Sequence, residues 1–187
     1  MRVYKALKKQ EFKLGDYCLT PIRQEDRFKI MKWRNEQIYH LRQTKPLTEE
    51  IQDEYFKNIV ADLFEQQRPD QILFSFLKGE ECIGYGGLVH LNWLWRNAEL
   101  SFVMDTSLEK QQFQELWIHF LRLIEAVAFK ELGLHKIFTF AFDLRPNLYR
   151  SLEICEFNYE ARLKEHILVQ DNYVDVVIHS KINTLID

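Results

Sequence analysis

The segment NAELSFVMDTSLEKQQFQELWIHFLRLIEAVAFKELGLHKIFTFAF, residues 97–142, decides the fold. Its first eight residues alternate between two faces, which predicts a strand over 97–104. Apolar residues then recur at helical spacing, which predicts a long helix over about 108–132 that ends at Gly133. A second strand follows over 134–142. A strand, a long helix and a strand in this order form a parallel crossover unit.

The flanking sequence predicts five more strands and three more helices. Apolar alternation and apolar runs predict the strands, which cover residues 17–23, 72–77, 82–91, 157–169 and 173–182. Helical periodicity predicts the helices, which cover 26–37, a segment capped by Thr48 with apolar residues at Ile51, Tyr55, Ile59 and Leu63, and 146–155. The sequence therefore predicts an α/β fold, with a mixed sheet of about seven strands and about four flanking helices. In such a sheet a ligand often binds where neighbouring strands diverge, at their carboxyl ends.

Composition narrows the functional classes. The 187 residues are 47% hydrophobic and 14% aromatic, and they carry a formal charge of −3. These values exclude a disordered chain and give no general attraction to nucleic acid. Because the chain has no linker and no internal repeat, we predict a single domain over 1–187 with a core over about 17–182. We interpret the basic segment 1–16 as a solvated N-terminal extension.

Cysteines, histidines and apolar runs give further expectations. The three cysteines, Cys18, Cys82 and Cys155, stand far apart, which favours reduced thiols in a cytoplasmic protein. Charges interrupt every apolar stretch, so the sequence predicts no membrane span and no secretory signal. The histidines are scattered and none stands near a cysteine at ligand spacing, so we expect no metal site.

Glycine is scarce, since six glycines among 187 residues compare with roughly 7% in soluble proteins. Three of them, Gly84, Gly86 and Gly87, form a cluster. This cluster precedes the end of a strand and not the start of a helix. We therefore interpret it as close backbone packing or a bulge rather than a phosphate-binding loop.

Seven short motifs, in chain order, resemble the GNAT superfamily of acetyl-CoA-dependent N-acetyltransferases. They are LTPI at 19–22, MKWRN at 31–35, LTEE at 47–50, ECIGY at 81–85, AELSF at 98–102, AFKELGLHKI at 128–137 and EARLKE at 160–165. More narrowly, they resemble the branch that includes ribosomal-protein N-terminal and nucleotide-linked amino-sugar acetyltransferases. The resemblance covers about 17–182 and implies a GNAT-like fold, acetyl-CoA as co-substrate and an amine acceptor. The implied acceptor is a small molecule, an amino sugar or a peptide N-terminus. Separately, pairing of edge strands would give a homodimer.

The resemblance also implies where acetyl-CoA binds. An extended pantetheine arm would pair with strand backbone, whose amides would polarise the thioester carbonyl, at Phe102, Val103 and Met104. The CoA diphosphate would lie at the start of the long helix, near Lys110, Gln111 and Gln112, with Asn147 as a further contact.

The diphosphate loop departs from the family pattern. Relatives carry Q/R-x-x-G-x-G/A at the start of this helix, and glycine there lets the backbone approach the phosphates. In this chain the two glycine positions fall either at Lys110 and Gln112 or at Phe113 and Glu115. In addition, Thr106 and Glu109 form a predicted capping box that would satisfy the same backbone donors internally.

The catalytic residues follow from the resemblance as well. Glu99 matches a strand acid that accepts the proton of the acceptor amine in some relatives, and its alternative role is a hydrogen-bonding carboxylate on the strand face. Tyr149 would protonate the leaving thiolate, although it lies about one turn before the family position. Glu156 stands where relatives carry a glycine.

The acceptor pocket would be shaped by Trp33, Arg34 and Asn35. Arg34 suits a carboxylate or phosphate on the acceptor, and its alternative role is an ion pair on the helix surface. Two functions therefore stay open at this point. The first is an active N-acetyltransferase, and the second is a GNAT-fold binding module that has weakened or lost acetyl-CoA binding.

Overall fold

The computed structural model describes residues 2–184, which form one eight-stranded mixed sheet with helices packed against it. The strands are β1 Phe12–Leu14, β2 Tyr17–Pro21, β3 Ile72–Lys78, β4 Glu81–Asn92, β5 Asn97–Met104, β6 Lys136–Phe142, β7 Asn158–Val169 and β8 Asn172–Ile182. Their order in the sheet is β1-β2-β3-β4-β5-β6-β8-β7. The prediction of a mixed α/β sheet is confirmed, with one strand more than expected.

The helices follow the predicted order, and two of them contain a wider turn. They are α1 Arg27–Glu36, α2 Glu49–Glu54, α3 Ala61–Glu65, α4 Thr106–Glu125 and α5 Asn147–Ile154. The π-helical segment Tyr55–Val60 joins α2 to α3, and the π-helical segment Ala126–Glu131 extends α4. As the sequence predicts, Thr48 caps α2, since its hydroxyl accepts a hydrogen bond from the Ile51 amide at 3.3 Å.

The parallel crossover predicted from 97–142 is present, and the sheet splits beside it. All neighbouring strands pair antiparallel except β5 and β6, which pair in parallel. Their register holds for three pairs, Asn97 with Lys136, Ala98 with Ile137 and Glu99 with Phe138. Beyond Glu99, β5 continues to pair with β4 as far as Met104. Beyond Glu99, the edge of β5 that faces β6 therefore has no partner strand among residues 2–184.

Aromatic packing fixes α4 on the sheet. The predicted stripe of α4 is buried, and Phe120 stacks on Phe102 of β5 with ring centroids 4.1 Å apart. A Cβ added at Gly86 would lie 2.9 Å from the Phe120 ring and 2.2 Å from the Ser101 carbonyl oxygen. Gly86 is therefore required for close packing, which agrees with the structural interpretation of the glycine cluster.

The N-terminal segment belongs to the core, so the interpretation of 1–16 as a solvated extension is wrong. Tyr4, Leu7 and Phe12 are buried, and Tyr4 stacks on Phe64 at 4.2 Å. The sequence pattern does not indicate this burial, because the three apolar side chains are separated by charged residues and show no periodicity. The strand β1 adds the eighth strand to the sheet.

The segment after Thr48 buries a different face from the one that the four-residue step indicated. Ile51 and Ile59 are half exposed, whereas Phe56 and Val60 are buried. The intervening π-helical turn contains more residues per turn than an α-helix, so a strict four-residue spacing does not stay on one face.

The three cysteines are buried and form no disulfide within residues 2–184. Burial raises the pKa of the Cys82 thiol to about 12, and it also raises the pKa of Cys18 and Cys155. In the same part of the chain, no helix is long and apolar enough to cross a membrane.

Candidate functional site

A cavity of about 290 Å³ lies at the split of the sheet. Its walls come from the facing parts of the two diverging strands, which supply Glu99, Leu100, Ser101 and Phe102 from β5 and Thr139, Phe140, Ala141 and Phe142 from β6. This is the location expected for a ligand in a mixed sheet, where neighbouring strands diverge. Since the facing side of β5 has no partner strand, an extended ligand can pair with it as an added strand.

Glu99 is the last residue of β5 that pairs with β6, it lines this cavity, and two side chains hold it. It is 8% exposed. Arg42 donates from Nη2 to both carboxylate oxygens, at 2.8 and 2.9 Å, and His90 Nδ1 lies 3.0 Å from Glu99 Oε2. The Arg42 guanidinium also stacks 4.3 Å from the centre of the Phe140 ring. Glu99 is therefore a fixed carboxylate that orients an imidazole.

His90 is placed by an irregularity in β4. The register between β4 and β5 shifts between Val89 and Asn92, and His90 has a φ of +51°. A bulge of this kind turns a side chain away from the regular alternation, and here the imidazole lines the cavity. Its Nε2 makes no hydrogen bond to any residue within 2–184. Sequence reasoning missed His90, because no sequence signal marks this bulge.

Arg145 and His40 form a second polar group in the cavity wall. Arg145 Nη1 donates to His40 Nε2 at 2.9 Å and lies 3.5 Å from Glu109 Oε1. Burial, together with the neighbouring Arg145 charge, lowers the pKa of His40 to about 3. His40 is thus neutral and accepts a hydrogen bond. Burial also lowers the pKa of Arg145 from its ordinary value.

The start of α4 is capped differently from the prediction. Asp105 is the N-cap residue, and its carboxylate accepts hydrogen bonds from the Ser107 amide at 2.8 Å and the Ser107 hydroxyl at 2.7 Å. The predicted box of Thr106 and Glu109 is wrong, because Gln37 donates to the Thr106 hydroxyl and Glu109 contacts Arg145. A carboxylate already occupies part of the site where relatives bind a diphosphate.

The residues predicted to bind the cofactor divide into two groups. Phe102, Val103 and Met104 are buried on β5 beside the split, and Phe102 lines the cavity. Gln37 already donates to the Met104 carbonyl at 2.7 Å. The residues of the other group lie outside the cavity lining, and these are Lys110, Gln111, Gln112 and Asn147. The free edge of β5 can accommodate an extended arm, whereas the start of α4 carries a capping carboxylate and no glycine over residues 105–115.

Tyr149 does not line the cavity either. Its hydroxyl donates to Asp143 Oδ1 at 2.6 Å, and its ring stacks on His179 with centroids 5.1 Å apart. Burial and the Asp143 carboxylate raise the pKa of Tyr149 above its ordinary value. The phenol therefore serves as a donor to Asp143.

The WRN motif supplies one residue to the cavities and two to the scaffold. Trp33 is buried in the core. Asn35 holds the following loop, since its side chain donates to the Leu47 carbonyl at 2.9 Å and accepts from the Leu47 amide at 2.7 Å. Arg34 lines the cavity at the split and also a second cavity under α1. Within residues 2–184, no three His, Cys, Asp or Glu side chains are placed to hold a metal ion.

Comparison with known proteins agrees with this architecture. The model of the acetyltransferase (GNAT) domain matches residues 19–178, and the chain belongs to this family. No curated protein matches the sequence.

Solved structures share the fold at low sequence identity. The spermidine N-acetyltransferase of Vibrio cholerae in complex with CoA and spermine is 19% identical, with a TM-score of 0.77 over 91% of this chain and 98% of that one. A single-site mutant of the same enzyme is 20% identical, with a TM-score of 0.73 over 90% and 95% of the two chains. A structure described as a probable acetyltransferase is 17% identical, with a TM-score of 0.71 over 92% and 96%.

Proposed function

We propose that this protein transfers an acetyl group from acetyl-CoA directly to a primary amine in the cavity between β5 and β6. The observation that carries the proposal is the free side of β5 beyond Glu99, which opens onto a cavity lined by a histidine and a carboxylate in contact with each other. Family membership supports acetyl transfer as the reaction.

We assign the base to His90 and a positioning role to Glu99. A primary amine is protonated at neutral pH, so it must lose a proton before it can react. Acetyl-CoA supplies the acetyl group as a thioester when it is bound. His90 accepts the first amine proton at Nε2, while Glu99 fixes the ring through Nδ1. As the C–N bond forms the thioester C–S bond would break, and CoA would leave as the thiol with the second proton of the amine. Arg42 holds Glu99 in turn.

The proposed function covers several classes of primary amine as acceptor. The solved relative from Vibrio cholerae was crystallised with spermine, which is an amine acceptor. The motifs of the sequence favour a small amine, an amino sugar or a peptide N-terminus, as in the branch of ribosomal-protein and amino-sugar acetyltransferases. All of these place a primary amine next to the thioester.

A second function is favoured by the start of α4. Asp105 caps the helix with a carboxylate, and residues 105–115 contain no glycine. Like charges disfavour a diphosphate at this position. A GNAT-fold domain that binds another ligand in the same cavity, without acetyl-CoA, would show this arrangement.

Calorimetry with acetyl-CoA separates the two functions, followed by CoA release with a panel of amines. Binding with amine-dependent CoA release supports the transferase. Absence of binding at millimolar acetyl-CoA contradicts it and supports the binding module.

The variant His90→Gln tests the assignment of the base. We expect kcat to fall about 10²- to 10⁴-fold, with acetyl-CoA affinity unchanged. Glu99→Gln should also abolish turnover without abolishing binding. His135→Gln is the matched control, since His135 is exposed and remote from the cavity lining. An unchanged kcat in His90→Gln would show that His90 is not the base.

A further inference from the structure

A second cavity of about 200 Å³ lies between α1, the start of α2 and the sheet. Its walls are mainly apolar and aromatic, and they include Ile22, Ile30, Leu47, Phe56, Tyr55 and Tyr85. Burial raises the pKa of Tyr55 to about 12. The Tyr55 hydroxyl has no hydrogen-bond partner within residues 2–184. The cavity is thus mainly apolar, and its other polar lining residues besides the tyrosines are Gln52 and Arg34.

Arg34 is common to this cavity and to the cavity at the split, because it lines both. Its Nη1 donates to the Tyr85 hydroxyl at 2.6 Å and its Nε donates to Gln43 Oε1 at 2.9 Å. A guanidinium has five N–H donors, so most of them remain available.

Arg34 also differs from the other cations of the cavity in its charge balance. Arg42 pairs with Glu99, and Arg145 pairs with Glu109. Among residues 2–184, no carboxylate forms an ion pair with Arg34. Electrostatic interaction with Tyr85, and the hydrogen bond to it, raise the pKa of Arg34 above its ordinary value. A half-buried guanidinium with free donors favours an anionic ligand, above all a planar carboxylate that it can bind in a bidentate manner.

We propose that the acceptor is an apolar amino acid, whose α-carboxylate binds Arg34, whose side chain enters the second cavity and whose amine lies in the cavity at the split, facing His90. One tetrahedral carbon carries these three groups, and Arg34 is the residue that lines both cavities. A polyamine carries only positive charge and would meet an uncompensated guanidinium there. The proposal names the acceptor of the proposed function, and it rests on that function for the acetylation of the amine.

The direct test compares ligands that differ in one group. Leucine, leucinamide and spermine are titrated into the full chain by calorimetry, without acetyl-CoA. We expect leucine to bind about tenfold or more tightly than leucinamide, because only leucine offers a carboxylate for charged hydrogen bonds. Equal affinity for leucine and leucinamide, or tighter binding of spermine, would overturn the proposal.

Variants on α1 assign the effect to Arg34. Arg34→Gln should remove the preference for leucine over leucinamide, whereas Arg34→Lys should retain part of it. Lys32→Gln is the matched control, since it removes an exposed positive charge from the same helix and should change neither affinity. A preference that survives in folded Arg34→Gln would contradict the assignment.

The outcome is separable from that of the proposed function. Carboxylate-dependent binding of leucine without any binding of acetyl-CoA would support the amino-acid site and reject the transferase. Acetyl transfer to spermine but not to leucine would reject the amino-acid site and support the transferase.

Discussion

Glu156 lies where α5 passes into β7, and its backbone has a φ of +62°. This left-handed conformation costs an L-residue other than glycine roughly 1–2 kcal/mol. Its carboxylate lies 3.2 Å from Lys181 and is 84% exposed, so the ion pair contributes little. The family pattern has a glycine at this position, and the backbone shows why.

Replacing this residue should therefore stabilise the protein. We expect Glu156→Gly to raise the free energy of unfolding by about 0.5–1 kcal/mol, measured by urea denaturation. Glu153→Gly is the matched control, since it makes the same change in the last turn of α5 and should not raise the free energy of unfolding. A loss of stability in Glu156→Gly would contradict the strain argument.

At the same scale, sequence reasoning found the residues that belong to motifs of the family resemblance. It placed Glu99 and Phe102 on the strand that lines the cavity, and Arg34 next to it. It missed His90, which depends on a bulge, and Arg145, which follows β6 and reaches His40 across more than 100 positions of chain. Contacts of this kind are set by tertiary packing, which local periodicity does not encode.

Among the elements, the start of α4 combines two demands on one site. Asp105 accepts a hydrogen bond from the Ser107 amide, and its negative charge interacts favourably with the positive end of the helix dipole. The same negative charge opposes a diphosphate at this end. Stability and affinity for CoA therefore depend on this side chain in opposite directions.

The variant Asp105→Asn separates the two, because asparagine still caps a helix but carries no charge. We expect affinity for CoA to rise about two- to fivefold, with stability nearly unchanged, measured by calorimetry and urea denaturation. Asp105→Ala should lower the free energy of unfolding by about 1 kcal/mol. No gain in CoA affinity in Asp105→Asn would show that the carboxylate does not limit binding.

Element types were predictable from periodicity, and the departures have local causes. The strand β5 and the long helix α4 follow regular apolar spacing over eight or more residues. The strand β1 has three residues, and the π-helical turn at Tyr55–Val60 breaks the helical period. Short or irregular segments contain too few repeats for a pattern to be recognised.

In the whole molecule, the N-terminal segment contacts both α3 and the strand β3 of the sheet. The Tyr4 hydroxyl donates to the Leu73 carbonyl at 2.9 Å and accepts from the Leu73 amide at 3.0 Å. Burial raises the pKa of Tyr4 above its ordinary value, so the hydroxyl stays protonated. The segment spans the distance from α3 to β3.

Removing this hydroxyl should weaken the whole domain. We expect Tyr4→Phe to lower the free energy of unfolding by about 1–3 kcal/mol, because the buried Leu73 amide loses its partner, as measured by urea denaturation. Tyr159→Phe is the control, since Tyr159 is exposed and should change stability by less than about 0.5 kcal/mol. A negligible effect of Tyr4→Phe would contradict the stabilising role of the hydrogen bonds between the Tyr4 hydroxyl and Leu73.

The three buried cysteines give the molecule a built-in reporter. Each thiol is enclosed in the core, and its raised pKa keeps it protonated at neutral pH. Because only the thiolate reacts readily with alkylating reagents, labelling of Cys18, Cys82 and Cys155 requires the structure around them to open. The three lie on β2, on β4 and after α5, so site-resolved labelling rates would show whether the two sides of the split sheet open together or one before the other.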